Sequence, residues 1–584
     1  MPTMTPGAFA HPATSLDFKT GTWRTQRPVH HLRPAPCHSG CPAGESPRDY
    51  LARVAEGNLQ AAWENLVAAN PLPAISGRVC DHPCETACNR GQFDSAVAIH
   101  NVERLLGDEA IRCGWDYALP PLAADAPKAA VVGAGPAGLS CAYHLRRQGV
   151  RAVLMDRLPV AGGTLRMALP GYRLPREVLE AEVARLLAAG IDFVPNMALG
   201  RDVSLAELQQ DYAAVFLGPG RHRPRNWDVD GHTPRDLHPA LTLLQEWVAF
   251  GTLPEIHSAV IVGGGNSAID MARVLARTGA KVHLVTHDAL PGPGVAREAA
   301  MKVAPRDIRA AEEEGVILHP EHGVYHLILR GEKVAGVELV RMKKLALGNG
   351  RYEVVPFEGT ETVLHVDQVI PAIGQEVAPD GMESLLDKRA FFHVDAAGRL
   401  AGHAGLFVGG DARQGAWGTV SGAVGDGRRA AFAMLAHLRN EAAAQETEIA
   451  PIGLAELNLN YFEQAPRAEE TLLPVADRAG CAEIAQGLSA VQVAAEAARC
   501  FSCGNCMACD NCWTLCPDQA VLKTREVAAD GSHYVIDYDY CKGCGLCAHE
   551  CPVGYLAMEV EPVASAPFAS CRTEGTPLDA PVLR

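Results

Sequence analysis

Residues 128–157 read KAAVVGAGPAGLSCAYHLRRQGVRAVLMDR, and this stretch decides the fold. It opens on a short apolar run that reads as a strand. Gly133, Gly135 and Gly138 follow in G-x-G-x-x-G spacing, then a helical stretch, then a second apolar run ending at Asp156. The glycines allow a tight turn and a close approach of backbone to a pyrophosphate, which rests on the helix N-terminus. Asp156 stands where a carboxylate accepts hydrogen bonds from an adenosine ribose. The glycine pattern alone is a weak signal. Strand, glycines, helix and acid in this order predict a dinucleotide-binding unit. The expected contacts are Gly133, Gly135, Pro136, Ala137, Gly138, Asp156 and Arg157, with Gly163 beyond them.

A second copy, SAVIVGGGNSAIDMARVLARTGAKVHLVTHD, spans 258–288. Gly263 and Gly265 repeat the first two glycines and Ala268 replaces the third, which the motif permits. Asn266, Ser267, Thr286 and His287 complete this candidate site. Two dinucleotide units in one chain predict a flavin (FAD) and a nicotinamide nucleotide (NAD or NADP), placed so that hydride passes between them. Chemistry of this kind belongs to the cofactors, and no catalytic side chain is expected.

Cysteines mark both ends. CFSCGNCMACDNCWTLCP occupies 500–517 and CKGCGLCAHECP occupies 541–552. Bacterial ferredoxins use C-x2-C-x2-C-x3-C-P, the fourth cysteine of each run ligating the other cluster. Pro517 sets the register. One 4Fe-4S cluster is then expected on Cys506, Cys509, Cys512 and Cys551, and a second on Cys541, Cys544, Cys547 and Cys516. Cys500 and Cys503 are left over and read as non-ligands, with a register that uses them as the alternative. Near the N-terminus, Cys37 and Cys41 precede Cys80, Cys84 and Cys88, and the helical stretch between them predicts a third cluster site folded around helices. Cys113, Cys141, Cys481 and Cys571 stand alone and read as packing residues.

Composition bounds the rest. The 584 residues suit two to four domains. A net charge of −16 gives no sign of a nucleic-acid partner. No apolar run reaches the roughly 18 residues that span a bilayer, and the first residues lack a secretory pattern. Nineteen cysteines at metal-ligand spacing, with no export signal, predict the reducing cytoplasm rather than a disulfide framework.

The order of parts resembles the glutamate synthase small subunit and the first part of dihydropyrimidine dehydrogenase. The resemblance covers roughly Cys37 to His437. It rests on NPLPAISGRVCDHPCETACNRG, VVGAGPAGLSCAYHL, GGTLRMALPGYRLPREVL and GGGNSAIDMAR. VDQVIPAIGQ (366–375) and GLFVGGDARQGAWGTVSGAVGDGRRAA (405–431) resemble the returning segments of two-dinucleotide flavoproteins. That adds Gly374, Gly410, Asp411 and Thr419 to the cofactor contacts and implies that the NAD(P) unit interrupts the FAD unit. The family's N-terminal domain often holds two clusters, with a C-x2-C pair before the first cysteine; HLRPAP stands there instead. One N-terminal cluster is therefore implied, on Cys41, Cys80 and Cys84, with Glu103 where dihydropyrimidine dehydrogenase uses a glutamine. Cys37 and Cys88 correspond to the lost cluster, either of them an alternative to Glu103. About three clusters are expected in all. NADPH-preferring relatives carry an arginine pair where this chain has His287 and Asp288, and Thr286 takes the place that Asp156 has in the first copy. No carboxylate at that place forbids a 2′-phosphate, so the choice between NAD and NADP stays open, with a slight lean towards NAD.

The expected fold is multidomain: a helical iron–sulfur domain (1–117), an FAD unit (118–225 and 371–440), an interleaved α/β Rossmann-like NAD(P) unit (226–370), a linker (441–498), an α+β ferredoxin domain with two 4Fe-4S clusters (499–562) and a tail (563–584). The expected function is an electron-transferring NAD(P)H:acceptor oxidoreductase subunit in a hetero-oligomer. Its partner would be ferredoxin or an iron–sulfur or other redox enzyme, such as a 2-oxoacid oxidoreductase or a sulfur-metabolising reductase. A glutamate synthase small subunit is the alternative. A self-contained reductase would need a substrate barrel of roughly 200–250 residues, and the chain has no stretch left for one.

Overall fold

Strand Lys128–Val132 pairs in parallel with Arg151–Met155, and helix Pro136–Arg147 between them starts on Gly135. The structure, a computed structural model, describes residues 19–561 apart from 228, 230–236, 297, 332, 349–350, 443–448, 479 and 528–530. The expected tail, with Cys571, lies outside the described residues. From the first pair the sheet grows to five parallel strands in the order Leu406–Val408, Ala214–Leu217, Lys128–Val132, Arg151–Met155, Asp192–Val194. Ala129, Ala130 and Val131 are fully buried, as expected where both faces of a parallel sheet are covered.

The edge strand Leu406–Val408 arrives only after a second parallel sheet has been built inside the first. That sheet runs Gln368–Pro371, Ser258–Val262, Lys281–Val285, Ile317–His319. Beside it lies an antiparallel sheet of His322–Arg330, Lys333–Gly348, Arg351–Pro356 and Thr362–Leu364, which the sequence reading does not anticipate.

The N-terminal helices Pro47–Ala55, Leu59–Val67, Pro73–Val79 and Ile99–Cys113 close around Trp63, Leu66 and Leu106. Their core is continuous with that of the first sheet. The buried Glu182 carboxylate accepts from the amides of Ala74 at 2.8 Å and Ile75 at 2.9 Å, satisfying two donors of the first turn of Pro73–Val79.

The two ends of the described residues meet. Strand Leu556–Val560 pairs antiparallel with Gln26–His30, Gln26 opposite Val560 and His30 opposite Leu556. Arg24 grips Glu561 with two hydrogen bonds of 2.7 and 2.9 Å. The segment expected as a linker is packed down onto the N-terminal helices: Ile452, Leu488 and Val493 are buried in the same core. Glu496 accepts from the amides of Ala98 (2.8 Å) and Ala468 (2.7 Å) and pairs with Arg499 at 2.8 Å. Arg499 also reaches Asp94 at 3.1 Å.

The two sheets are held together by a buried charge network. Arg173 precedes helix Arg176–Ala188 of the first unit and donates to both oxygens of Asp270 at 3.1 Å and to Asp307 at 3.2 Å, both in the second unit. Burial pushes the Asp270 carboxyl up and the Arg173 guanidinium pulls it back down. Tyr172 lies under Arg277, 3.7 Å from the ring centre. Removing one partner of a buried pair leaves an uncompensated charge, which costs about 3–5 kcal/mol. Arg173→Ala is therefore expected to lower unfolding free energy by about 3–5 kcal/mol in urea titration. A loss below about 1 kcal/mol, the range of an exposed pair, would show that the two aspartates do not depend on it.

Candidate functional site

A cavity of about 290 Å³ opens at the C-terminal ends of the first sheet's strands. Gly133, Gly135, Pro136 and Ala137 form one wall, and Asp156, Arg157 and Gly163 another. Asp156 is fixed by the amides of Ala134 (2.7 Å) and Leu158 (2.9 Å), one on each carboxylate oxygen. Gly138 stands behind the wall. A Cβ there would meet the Gly133 carbonyl oxygen at 1.8 Å, so only glycine lets the helix sit this close to the turn. The returning segment supplies Gly410, Asp411 and Thr419. Burial raises the Asp411 carboxyl, with Arg221 acting against it.

The second unit enters the same cavity through Asn266, Ser267 and Asp270 at the start of helix Asn266–Arg277. Asn266 Oδ1 is buried without a hydrogen-bond partner, and an acceptor left this way fits a ligand that brings its own donor. Gln375, next to Gly374, donates to Ser267 Oγ at 3.3 Å. Gly263, Gly265, Ala268, Thr286, His287 and Gly374 are not part of the wall. Thr286 stands at the end of strand Lys281–Val285 as expected, yet a carboxylate does lie beside this turn. Asp288, two residues on, accepts from Thr286 Oγ1 at 3.3 Å and pairs with Lys344. A Cβ on Gly264 would be 2.5 Å from Asp288 Oδ2. The sequence reading put His287 and Asp288 at the phosphate-reading position, and the loop folds the Asp288 carboxylate back onto Gly264.

Asp426 was missed. Its carboxylate accepts from Gly410 N at 3.1 Å, Arg413 Nε at 2.7 Å and Arg429 Nη2 at 2.6 Å, which holds the returning turn on the cavity. The visible signal is a lone acid amid small residues in VSGAVGDGRRAA.

Thiols lie beside the same cavity without lining it. Val79 and Asp81 line it, and Cys80 Sγ between them donates to Ser421 Oγ at 3.3 Å, next to the lining residue Val420. Cys41, Cys80 and Cys84 are neighbours, with Glu45 and Glu103 beside them. Burial pushes Cys80 up to about 12, the Glu103 carboxyl adding to it. Glu103 is itself buried, accepting from Ser76 Oγ and from Asn70 Nδ2 at 3.0 Å. Asn70 Nδ2 also donates to Glu45 at 2.8 Å, a second buried carboxylate the sequence reading did not single out. Cys37 and Cys88 face away from this group, into a cavity shared with Cys500 and Cys503.

In the ferredoxin-like segment, Cys506, Cys509, Cys512 and Cys551 surround one small cavity. Cys516, Cys541, Cys544 and Cys547 surround another. Each set mixes cysteines from both runs, the crossing that the two-cluster pattern demands. Among the described residues no group of three or more His, Cys, Asp or Glu closes on a single metal ion. Thiols spaced around a cavity fit a four-iron cluster. No helix among the described residues is long and apolar enough to cross a membrane.

Comparison with known proteins places these features in a family. Residues 127–427 match the pyridine nucleotide-disulphide oxidoreductase family, residues 22–115 the dihydropyrimidine dehydrogenase domain II with its 4Fe-4S cluster, and residues 534–554 a 4Fe-4S binding domain. The NADP(+)-dependent formate dehydrogenase subunit beta of Moorella thermoacetica is 32% identical over 85% of this chain and 73% of its own length. The NADPH-Fe(3+) oxidoreductase subunit beta of Geobacter sulfurreducens is 31% identical over 80% and 75%. The glutamate synthase [NADPH] small chain of Escherichia coli K12 is 32% identical over 68% and 87%. With the flavin-type cavity, the second nucleotide unit opening into it and thiol sets at both ends of the chain, the protein belongs to the pyridine nucleotide-disulphide oxidoreductase family, as a member that carries 4Fe-4S domains.

Proposed function

We propose that the chain is the NAD(P)H-oxidising subunit of a larger redox assembly, moving electrons between the nucleotide and a separate redox enzyme. One observation carries this reading: a single cavity is walled by the first glycine turn, by the start of the second unit's helix and by the segment around Cys80. A flavin bound there would take two electrons as hydride and give them up singly to clusters. The chain's own part is placement. The turn 133–138 and Asp156 hold the dinucleotide, Asn266 and Ser267 face it from the nucleotide side, and Cys80 marks where electrons leave. The two-run cysteine segment is the port to the partner, whose class is an iron–sulfur or other redox subunit. A glutamate synthase small subunit explains less, because that relative's match covers 68% of the chain.

Replacing Cys544 by Ala is expected to remove about four of the irons while flavin stays bound. Reduction of a ferredoxin-type acceptor by NAD(P)H should then fall at least about tenfold further than reduction of a small dye, a gap of about 1.4 kcal/mol or more in barrier. Equal losses with dye and acceptor would place the exit port elsewhere.

The Asp288 carboxylate beside Gly264 weighs against a 2′-phosphate, although Lys344 offsets part of its charge. Arginine forks grip phosphate with paired hydrogen bonds. The double substitution His287→Arg/Asp288→Arg is expected to raise kcat/KM for NADPH relative to NADH by about tenfold or more, roughly one charge-assisted contact. Steady-state kinetics with both nucleotides checks it, and an unchanged ratio would mean that another segment reads the phosphate.

A further inference from the structure

We propose that Cys37, Cys88, Cys500 and Cys503 hold a further 4Fe-4S cluster, with ligands drawn from both ends of the chain. The inference rests on the reading of the protein as an iron–sulfur flavoprotein relay and completes it.

The four thiols line one cavity, formed where segments 35–37, 88–90 and 500–503 meet. It measures about 20 Å³, the same as each of the two cysteine cavities in the ferredoxin-like segment. All four are free thiols. The backbone of the Cys500–Cys503 pair repeats that of the ferredoxin pairs. Ser502, immediately before Cys503, has φ +55°; Ala508, before Cys509, has φ +54°; Gly543, before Cys544, has φ +73°. A left-handed serine or alanine is strained and persists only where its surroundings demand it. Within this turn the Ser502 amide donates to Cys500 Sγ at 3.4 Å, as the Gly543 amide does to Cys541. Asn89 Nδ2 donates to Cys503 Sγ at 3.5 Å, and N–H donors on sulfur are a usual means of tuning a cluster. Arg48 Nη1 ties the Cys503 carbonyl to that of Arg33, 3.1 Å from each, and so fastens the two ends together.

The position explains why the site is needed. Cys37 is four residues from Cys41 and Cys88 four from Cys84, so the new site adjoins the group next to the flavin-type cavity. Cys503 is three residues from Cys506, so it lies within about 11 Å of chain from the first ferredoxin site. Electrons leaving Cys80 would otherwise have no cofactor between the N-terminal helices and the ferredoxin-like segment. The C-x2-C pair missing before Cys37 is thus supplied from the far end of the sequence. Ligation forms four iron–thiolate bonds and releases the four thiol protons to solvent; a preassembled cluster brings its own iron and sulfide.

The test is cofactor stoichiometry on the full chain, purified and reconstituted anaerobically, with electron paramagnetic resonance of the reduced protein. About sixteen irons per chain are expected, against about twelve for three clusters. The double substitution Cys500→Ser/Cys503→Ser should lose about four irons and one reduced-cluster signal while retaining its flavin. About twelve irons in the unaltered chain would overturn the proposal, as would a double variant that keeps the full count. Should that variant fail to fold, the unaltered chain's count decides alone. Sixteen irons with no transfer beyond the flavin would sink the relay reading and leave this site standing; twelve irons with intact transfer would do the reverse.

Discussion

The pairing of Gln26–His30 with Leu556–Val560 is the constraint on which the remaining geometry hangs. Arg24 and Glu561, just beyond this pairing, are 537 residues apart in sequence, and closing a loop of that size is entropically costly though only logarithmic in length. One short ladder and one ion pair would not hold it. The closure is shared with the strap of residues 449–499, whose Val493 and Ile452 are buried in the N-terminal core and whose Glu496 satisfies two amides. Placed this way, the ferredoxin-like segment lies against the N-terminal helices instead of hanging from a tether.

A second constraint fixes the two dinucleotide units. Arg173 reaches two carboxylates of the second unit, and Tyr172 beside it lies under Arg273 and Arg277, which within that unit converge on Glu314 at 2.9 Å. Such pairs contribute little net stability over a well-packed apolar contact, but they fix register, since any sliding strands a charge in a buried place. Asp270 belongs both to this lock and to the cavity wall, so the arrangement that holds the units is continuous with the one that faces the cofactors.

Much of this was legible in the chain because it rests on local rules. Gly133 and Gly138 mark a turn that leaves no room for a Cβ at either position, and the return strand Leu406–Val408 was legible through its resemblance to the returning segments of two-dinucleotide flavoproteins. The crossed grouping of the ferredoxin-run cysteines around two cavities is the one expected from the two-cluster pattern once one proline sets the register. What stayed hidden is non-local. Glu496 looks like any helical glutamate, and its value comes from the amides of Ala98 and Ala468, which only tertiary packing brings near. Asp288 was legible as a neighbour of the phosphate-reading position, but its return onto Gly264 is set by the loop and not by spacing. Cys500 and Cys503 looked surplus when counted within their own run, since their neighbours Cys37 and Cys88 belong to a different part of the sequence.

The meeting of the two ends also has a consequence in time. Asn89 and Cys503 touch across 414 residues. At translation rates of about 5–20 residues per second, the early segment waits roughly 20–80 s for its counterpart to be synthesised. The N-terminal helices therefore emerge with part of their surface uncovered and with Cys37 and Cys88 bare. Whatever guards nascent thiols and apolar patches in the cell has that interval in which to act, and the fold is sealed only when the last strand is released.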